Sequence, residues 1–139
     1  VRKAAMEQNK GSYILVIEGA IPMKDDGVYC KIGGQTSIDL VREVAEDAGA
    51  IIAIGSCASW GGIPSAAPNP TGAVGAPTLL EGKTVVTIPG CPSNPYNFLG
   101  TVLQFVALGS PRWHDRSSPM DGSSTSTVRV EPTSTPAVS

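Results

Sequence analysis

The chain has 139 residues, 12 acidic against 10 basic side chains, a formal net charge of -2 and a pI near 5.3. That is room for one domain with its own core, and it leaves no basic face for nucleic acid. No apolar run approaches the roughly 20 residues that cross a bilayer, and the three cysteines cannot form a disulfide framework, since one is always left over.

The chain opens on Val1 instead of methionine, so its natural amino terminus is expected upstream and the lack of a leader carries no weight. Val1 to Lys10 reads as the end of a helix. Ser12 to Ile17, with its apolar YILVI run, predicts a strand that delivers Glu18 and Gly19. Glu18 to Gly34 is a long irregular connection of the kind that is functional or anchored. Within it Cys30, in GVYCKIGG, reads as a small buried hydrophobe. Thr36 to Ala48 is predicted helical: Thr36 or Ser37 caps it, Ile38, Val41, Ala45 and Ala48 recur at helical spacing, and Gly49 stops it.

Ala50 to Ile54 is a second strand. The loop after it, GSCASWGGI, carries Cys57, and prolines from Pro64 to Pro70 continue it as a loop. Thr78 to Leu80 is read as part of a short helix. Thr84 to Ile88 is a third strand, ending in Pro89 and Gly90 and delivering Cys91. Asn94 and Pro95 then start a helix with an apolar stripe of Phe98, Leu99, Val102, Leu103 and Val106, and Gly109 ends it. From Ser110 the composition turns to Ser, Thr and Pro, and the segment 110–139 reads as a disordered tail. Its lone histidine, His114, reads as a solvated side chain.

Unbroken apolar strands joined through a capped helix predict an α/β domain with a parallel sheet. Ligands of such sheets gather at the carboxyl ends of the strands. If the three strands are parallel neighbours, Glu18, Cys57 and Cys91 meet at one edge. Loop cysteines beside glycines suit a metal or an iron-sulfur cluster, although a [4Fe-4S] cluster takes four thiolates and this chain offers two. Structural zinc sites use close pairs such as C-x2-C, and none occurs; a nucleophilic cysteine wants a positioned histidine, and none is evident; and the Gly55 to Gly62 loop lacks the Lys-Ser/Thr ending of a P-loop. For Glu18, a hydrogen-bonded strand end and a buried carboxylate relaying protons both stand open.

The stretches ILVIEGAIP (Ile14 to Pro22), DDGVYCKIGG (Asp25 to Gly34), AIGSCASWGGIPSAAPNPTG (Ala53 to Gly72) and PGCPSNPYNFLGTVLQF (Pro89 to Phe105) resemble the small subunit of nickel-iron hydrogenases. The resemblance covers about Lys10 to Gly109. It implies a flavodoxin-like domain, here truncated at both ends, spanning residues 1–109. Cys57 and Cys91 would then be two of the four ligands of the proximal [4Fe-4S] cluster, the other two lying upstream in a C-x-G-C motif, and Glu18 the family's carboxylate near that cluster.

The same resemblance implies electron transfer between a Ni-Fe site in a large subunit and an external carrier such as a cytochrome, with medial and distal clusters in the full-length subunit. It also favours a periplasmic or membrane-associated location. Gly62 stands where oxygen-tolerant members carry an extra cysteine, which points to the standard type. Trp60 reads as an anchor for the large subunit or as packing. A flavin- or phosphate-binding module of flavodoxin type and the iron-sulfur subunit of a quinone reductase are the alternatives.

Family members continue into an H-x-x-C-P-R-R segment, which is missing in this frame. Shifted by one base, Gly122 to Ser139 can be decoded as LVHEHCPRRAHFDAGRL, so the tail is expected to be a frameshift product.

Overall fold

The computed structural model describes residues 1–109 and 129–131. In chain order the helix α1 (Arg2–Gln8) precedes the strand β1 (Ile14–Glu18) and a short strand β2 (Ile21–Pro22). A 3-10 turn over Lys24–Gly27 leads to the hairpin β3 (Lys31–Ile32) and β4 (Gln35–Thr36). Helix α2 (Ser37–Glu46), strand β5 (Ala50–Ile54) and the short helices α3 (Gly55–Trp60) and α4 (Gly62–Ser65) follow. Then come β6 (Ala73–Val74), α5 (Ala76–Leu79), β7 (Val85–Ile88), α6 (Pro95–Leu108) and β8 (Arg129–Glu131).

The main sheet has the order β1-β5-β7-β8. Its first three strands are parallel, with Leu15 opposite Ile51 and Ile52 opposite Val86. β8 adds to the β7 edge antiparallel, Val86 facing Val130, so this piece of the tail expected to be disordered is a strand. The remainder of that tail, with His114 and all of the decoded segment but Arg129–Glu131, lies outside the described residues. Two small antiparallel pairs, β2 with β6 and β3 with β4, stand apart from the main sheet. The second turns through Gly33 and Gly34, both at positive φ, the backbone that a two-residue hairpin requires.

Helices pack on both faces of the parallel sheet, which is why its central strands β5 and β7 are apolar throughout, while the edge strand β1 leaves Val16 exposed. On one face Ile17, Ile51, Ala53 and Val85 pack with Ile38 and Ala45 of α2, Ala58 of α3 and Leu79 of α5. On the other, Ile52, Val86 and Ile88 pack against Phe98, Val102 and Phe105 of α6. A parallel sheet with helices on both sides is the expected flavodoxin-like arrangement. The caps match as well: Thr36 Oγ1 accepts from the Asp39 amide at 3.2 Å, and Asn94 Oδ1 accepts from the Tyr96 amide at 2.9 Å. Gly109 closes α6 in a left-handed conformation.

The outward side of α6 is also apolar, with Tyr96, Leu99, Leu103 and Val106 exposed. α1 is tied to α2 by ion pairs from Arg2 (3.1 Å) and Lys3 (3.6 Å) to Glu43. The stretch after β5 departs from expectation, because Cys57 lies in the helix α3 and not in a loop.

A candidate cofactor cleft at the carboxyl edge of the sheet

Parallel pairing puts the three strand ends level: Glu18 faces Ile54, and Ile54 faces Ile88. Each strand then leaves the sheet by a different route. After β1 comes Gly19. After β5 the chain turns at Gly55, φ +87°, into α3, which carries Cys57. After β7, Pro89 and Gly90 lead to Cys91. The three routes enclose a cleft of about 270 Å³, walled by Glu18 and Gly19, by Ile54 to Cys57, and by Gly90 to Ser93. The edge expected to gather Glu18, Cys57 and Cys91 therefore gathers all three.

Glycines shape the walls. Gly90 has φ +132°, and a Cβ there would stand 2.7 Å from Ser93 Cα and 2.8 Å from the Pro92 carbonyl oxygen. The position takes no side chain, so the Cys91 turn folds back on itself through a Gly90–Ser93 bridge. Gly62, φ +53°, backs Cys57: a Cβ there would lie 2.8 Å from Sγ and 3.1 Å from the Cys57 backbone nitrogen and Cα.

The two cysteine loops are joined directly. The Ser56 amide donates to the Gly90 carbonyl oxygen at 2.9 Å, and the Gly90 amide donates to Ser56 Oγ at 3.2 Å. Ser59 Oγ, deeper in α3, donates back to the Ala53 carbonyl at 3.3 Å. These contacts were not legible in the sequence, apart from the hint that small residues bracket Cys57.

Cys57 is half-buried, Cys91 is exposed, and neither is in a disulfide. Glu18 is exposed as well, so of its two readings the buried carboxylate is not the state seen here. Cys30 is half-buried outside the cleft, its carbonyl accepting from the Ser37 amide at 2.9 Å. Trp60, 57% exposed, and Ile63, 83% exposed, stand out from α3 and α4.

Among the described residues no three His, Cys, Asp or Glu side chains converge as a metal site. The donor set is two thiols in a cleft with glycine walls and free space beside them. That fits half of the four-thiolate shell of an iron-sulfur cluster, and among the described residues no histidine lines the cleft to serve a nucleophilic cysteine.

Residues 1–105 match the family model described as NADH ubiquinone oxidoreductase, 20 Kd subunit. The chain belongs to this family. It is similar to the Hydrogenase-2 small chain of Escherichia coli K12, 52% identical over 116 residues, which cover 83% of this chain and 31% of that protein. It is also similar to the uptake hydrogenase small subunit of Azotobacter vinelandii, 43% identical over 75% of this chain and 29% of the relative. Among solved structures, the [NiFeSe] hydrogenase of Desulfovibrio vulgaris Hildenborough superposes with a TM-score of 0.70 at 36% identity, covering 76% of this chain and 40% of that one.

The resemblance to hydrogenase small subunits thus holds, and these relatives favour it over a quinone reductase subunit. The chain spans about a third of the length of the curated relatives it matches. Among the described residues no helix is long and apolar enough to cross a membrane.

Proposed function

We propose that this chain is the electron-transfer part of a nickel-iron hydrogenase small subunit, and that its cleft holds one side of the proximal [4Fe-4S] cluster. The observation that carries this is the meeting of Cys57 and Cys91 in one glycine-walled cleft, in a chain 52% identical to a hydrogenase small chain. When bound, the cluster supplies one-electron transfer between a Ni-Fe site on a large subunit and an external carrier, such as a cytochrome.

The chain's own residues do the positioning. β5 and β7 set the two thiols at one edge, and the thiolate form of each is the ligand. Gly55, Gly62 and Gly90 keep side chains out of the space beside them. Two further thiolates come from elsewhere in the full-length subunit. Trp60 and Ile63, exposed on α3 and α4, form the apolar seat for the large subunit, consistent with the aromatic anchors of interfaces. Glu18 stands at the open rim of the same cleft.

The test is Cys57→Ser and Cys91→Ser in the full-length subunit purified with its large subunit. Each variant is expected to lose one cluster's worth of iron and labile sulfide, together with the proximal electron-paramagnetic resonance signal. Unchanged iron and an unchanged signal in both variants would refute the assignment, and a structured yellow flavin spectrum would replace it with a flavin module.

A further inference from the structure

The Ser56 side chain sits between the two cysteine loops and belongs to neither ligand. Its Oγ accepts the Gly90 amide at 3.2 Å while its own amide donates to the Gly90 carbonyl at 2.9 Å. Ser56 adjoins Cys57 and Gly90 adjoins Cys91, so this reciprocal pair ties the two cysteine segments together across 34 residues of chain.

The hydroxyl has a second capacity. A serine oxygen accepts and also donates one proton. Accepting from Gly90 uses a lone pair and leaves the hydroxyl its own proton to donate. Ser56 lines the cleft between Cys57 and Cys91, so that proton is available to a sulfur held there. An amide already donating to Oγ polarises the hydroxyl and strengthens it as a donor.

We propose that Ser56 is a positioning residue of the cluster site: it clamps the Cys57 and Cys91 loops through Gly90 and donates its hydroxyl proton to a sulfur of the bound cluster. This rests on the cluster reading above. A hydrogen bond to cluster sulfur stabilises the reduced, more negative form and raises the reduction potential. Removing the hydroxyl therefore lowers it.

The experiment uses the full-length subunit in complex with its large subunit, comparing wild type, Ser56→Ala and Ser56→Thr by redox titration of the proximal paramagnetic signal. Ser56→Ala is expected to lower the reduced-to-oxidised ratio at a fixed potential about tenfold, equivalent to about 59 mV for one electron. Ser56→Thr, which keeps the hydroxyl, is expected to titrate as wild type. Loss of the cluster in Ser56→Ala with full retention in Ser56→Thr also supports the clamp. A wild-type potential in Ser56→Ala, or equal shifts in both variants, overturns the proposal while leaving the Cys57 and Cys91 assignment intact. Absence of any cluster from the wild-type complex overturns both.

Discussion

Replacing Gly62 by alanine tests how closely the backbone behind Cys57 is packed. Two costs are expected. The first is conformational: φ at Gly62 is +53°, and an L-residue in the left-handed region costs about 1–2 kcal/mol. The second is steric. The new Cβ would lie 2.8 Å from Cys57 Sγ, which can swing aside, but also 3.1 Å from the Cys57 nitrogen and Cα, which belong to the first turn of α3 and cannot move without shifting the helix. Overpacking of that kind costs about 1–3 kcal/mol.

Gly33 isolates the first cost. Its φ is +58°, and a Cβ there meets nothing within 4 Å. Urea unfolding of the chain is therefore expected to show Gly33→Ala destabilised by about 1–2 kcal/mol and Gly62→Ala by about 2–5 kcal/mol. The rate of Cys57 with a thiol reagent should change in Gly62→Ala alone, because the sulfur is displaced there. Equal destabilisation of the two variants, with equal Cys57 reactivity, would refute the close approach.

Ile52 is fully buried between β1, β7 and α6, so Ile52→Ala should cost about 2–5 kcal/mol in the same unfolding assay. Thr36→Ala removes the α2 cap and should cost about 1 kcal/mol, with Thr36→Ser close to wild type. The Glu43 carboxyl is held below its ordinary range, chiefly by the hydrogen bond from Gln35 and then by the charges of Arg2 and Lys3 against opposing desolvation. A depressed folded value means that the contacts of Glu43 with Gln35, Arg2 and Lys3 contribute stability above the ordinary carboxylate pKa that is lost as pH falls through the lowered one, loosening α1 on α2. Amide exchange in α1, measured from neutral to acid pH, should speed up in that window, and Glu43→Gln should make the exchange insensitive to it.

Local chemistry was the legible part of this chain. Thr36 and Asn94 each pair a capping side chain with an apolar helical period, and both signals lie within one turn of sequence. The three main strands were legible because burial on two faces demands unbroken apolar runs, and parallel pairing then carried Glu18, Cys57 and Cys91 to one edge.

What stayed hidden depends on distance or on weak pattern. The helix α3 has six residues, begins at a glycine and shows no amphipathic period, so its segment read as loop. The β2–β6 pair has two residues per strand and joins segments far apart in the chain. The exposure of Glu18 follows from which elements cover the end of β1, and the Ser56–Gly90 tie from a contact across 34 residues; neither leaves a local mark.

The same tie has a bearing on the order of assembly. The walls of the cleft come from the three segments that leave β1, β5 and β7, and the Ser56–Gly90 hydrogen bonds join two of them that are far apart in sequence. Closing such a loop is entropically costly, so the two thiols are far apart on average in the unfolded chain. A cofactor delivered early would meet single cysteines, each free to react with something else. The two thiols thus stand together only where β5 and β7 are paired in register.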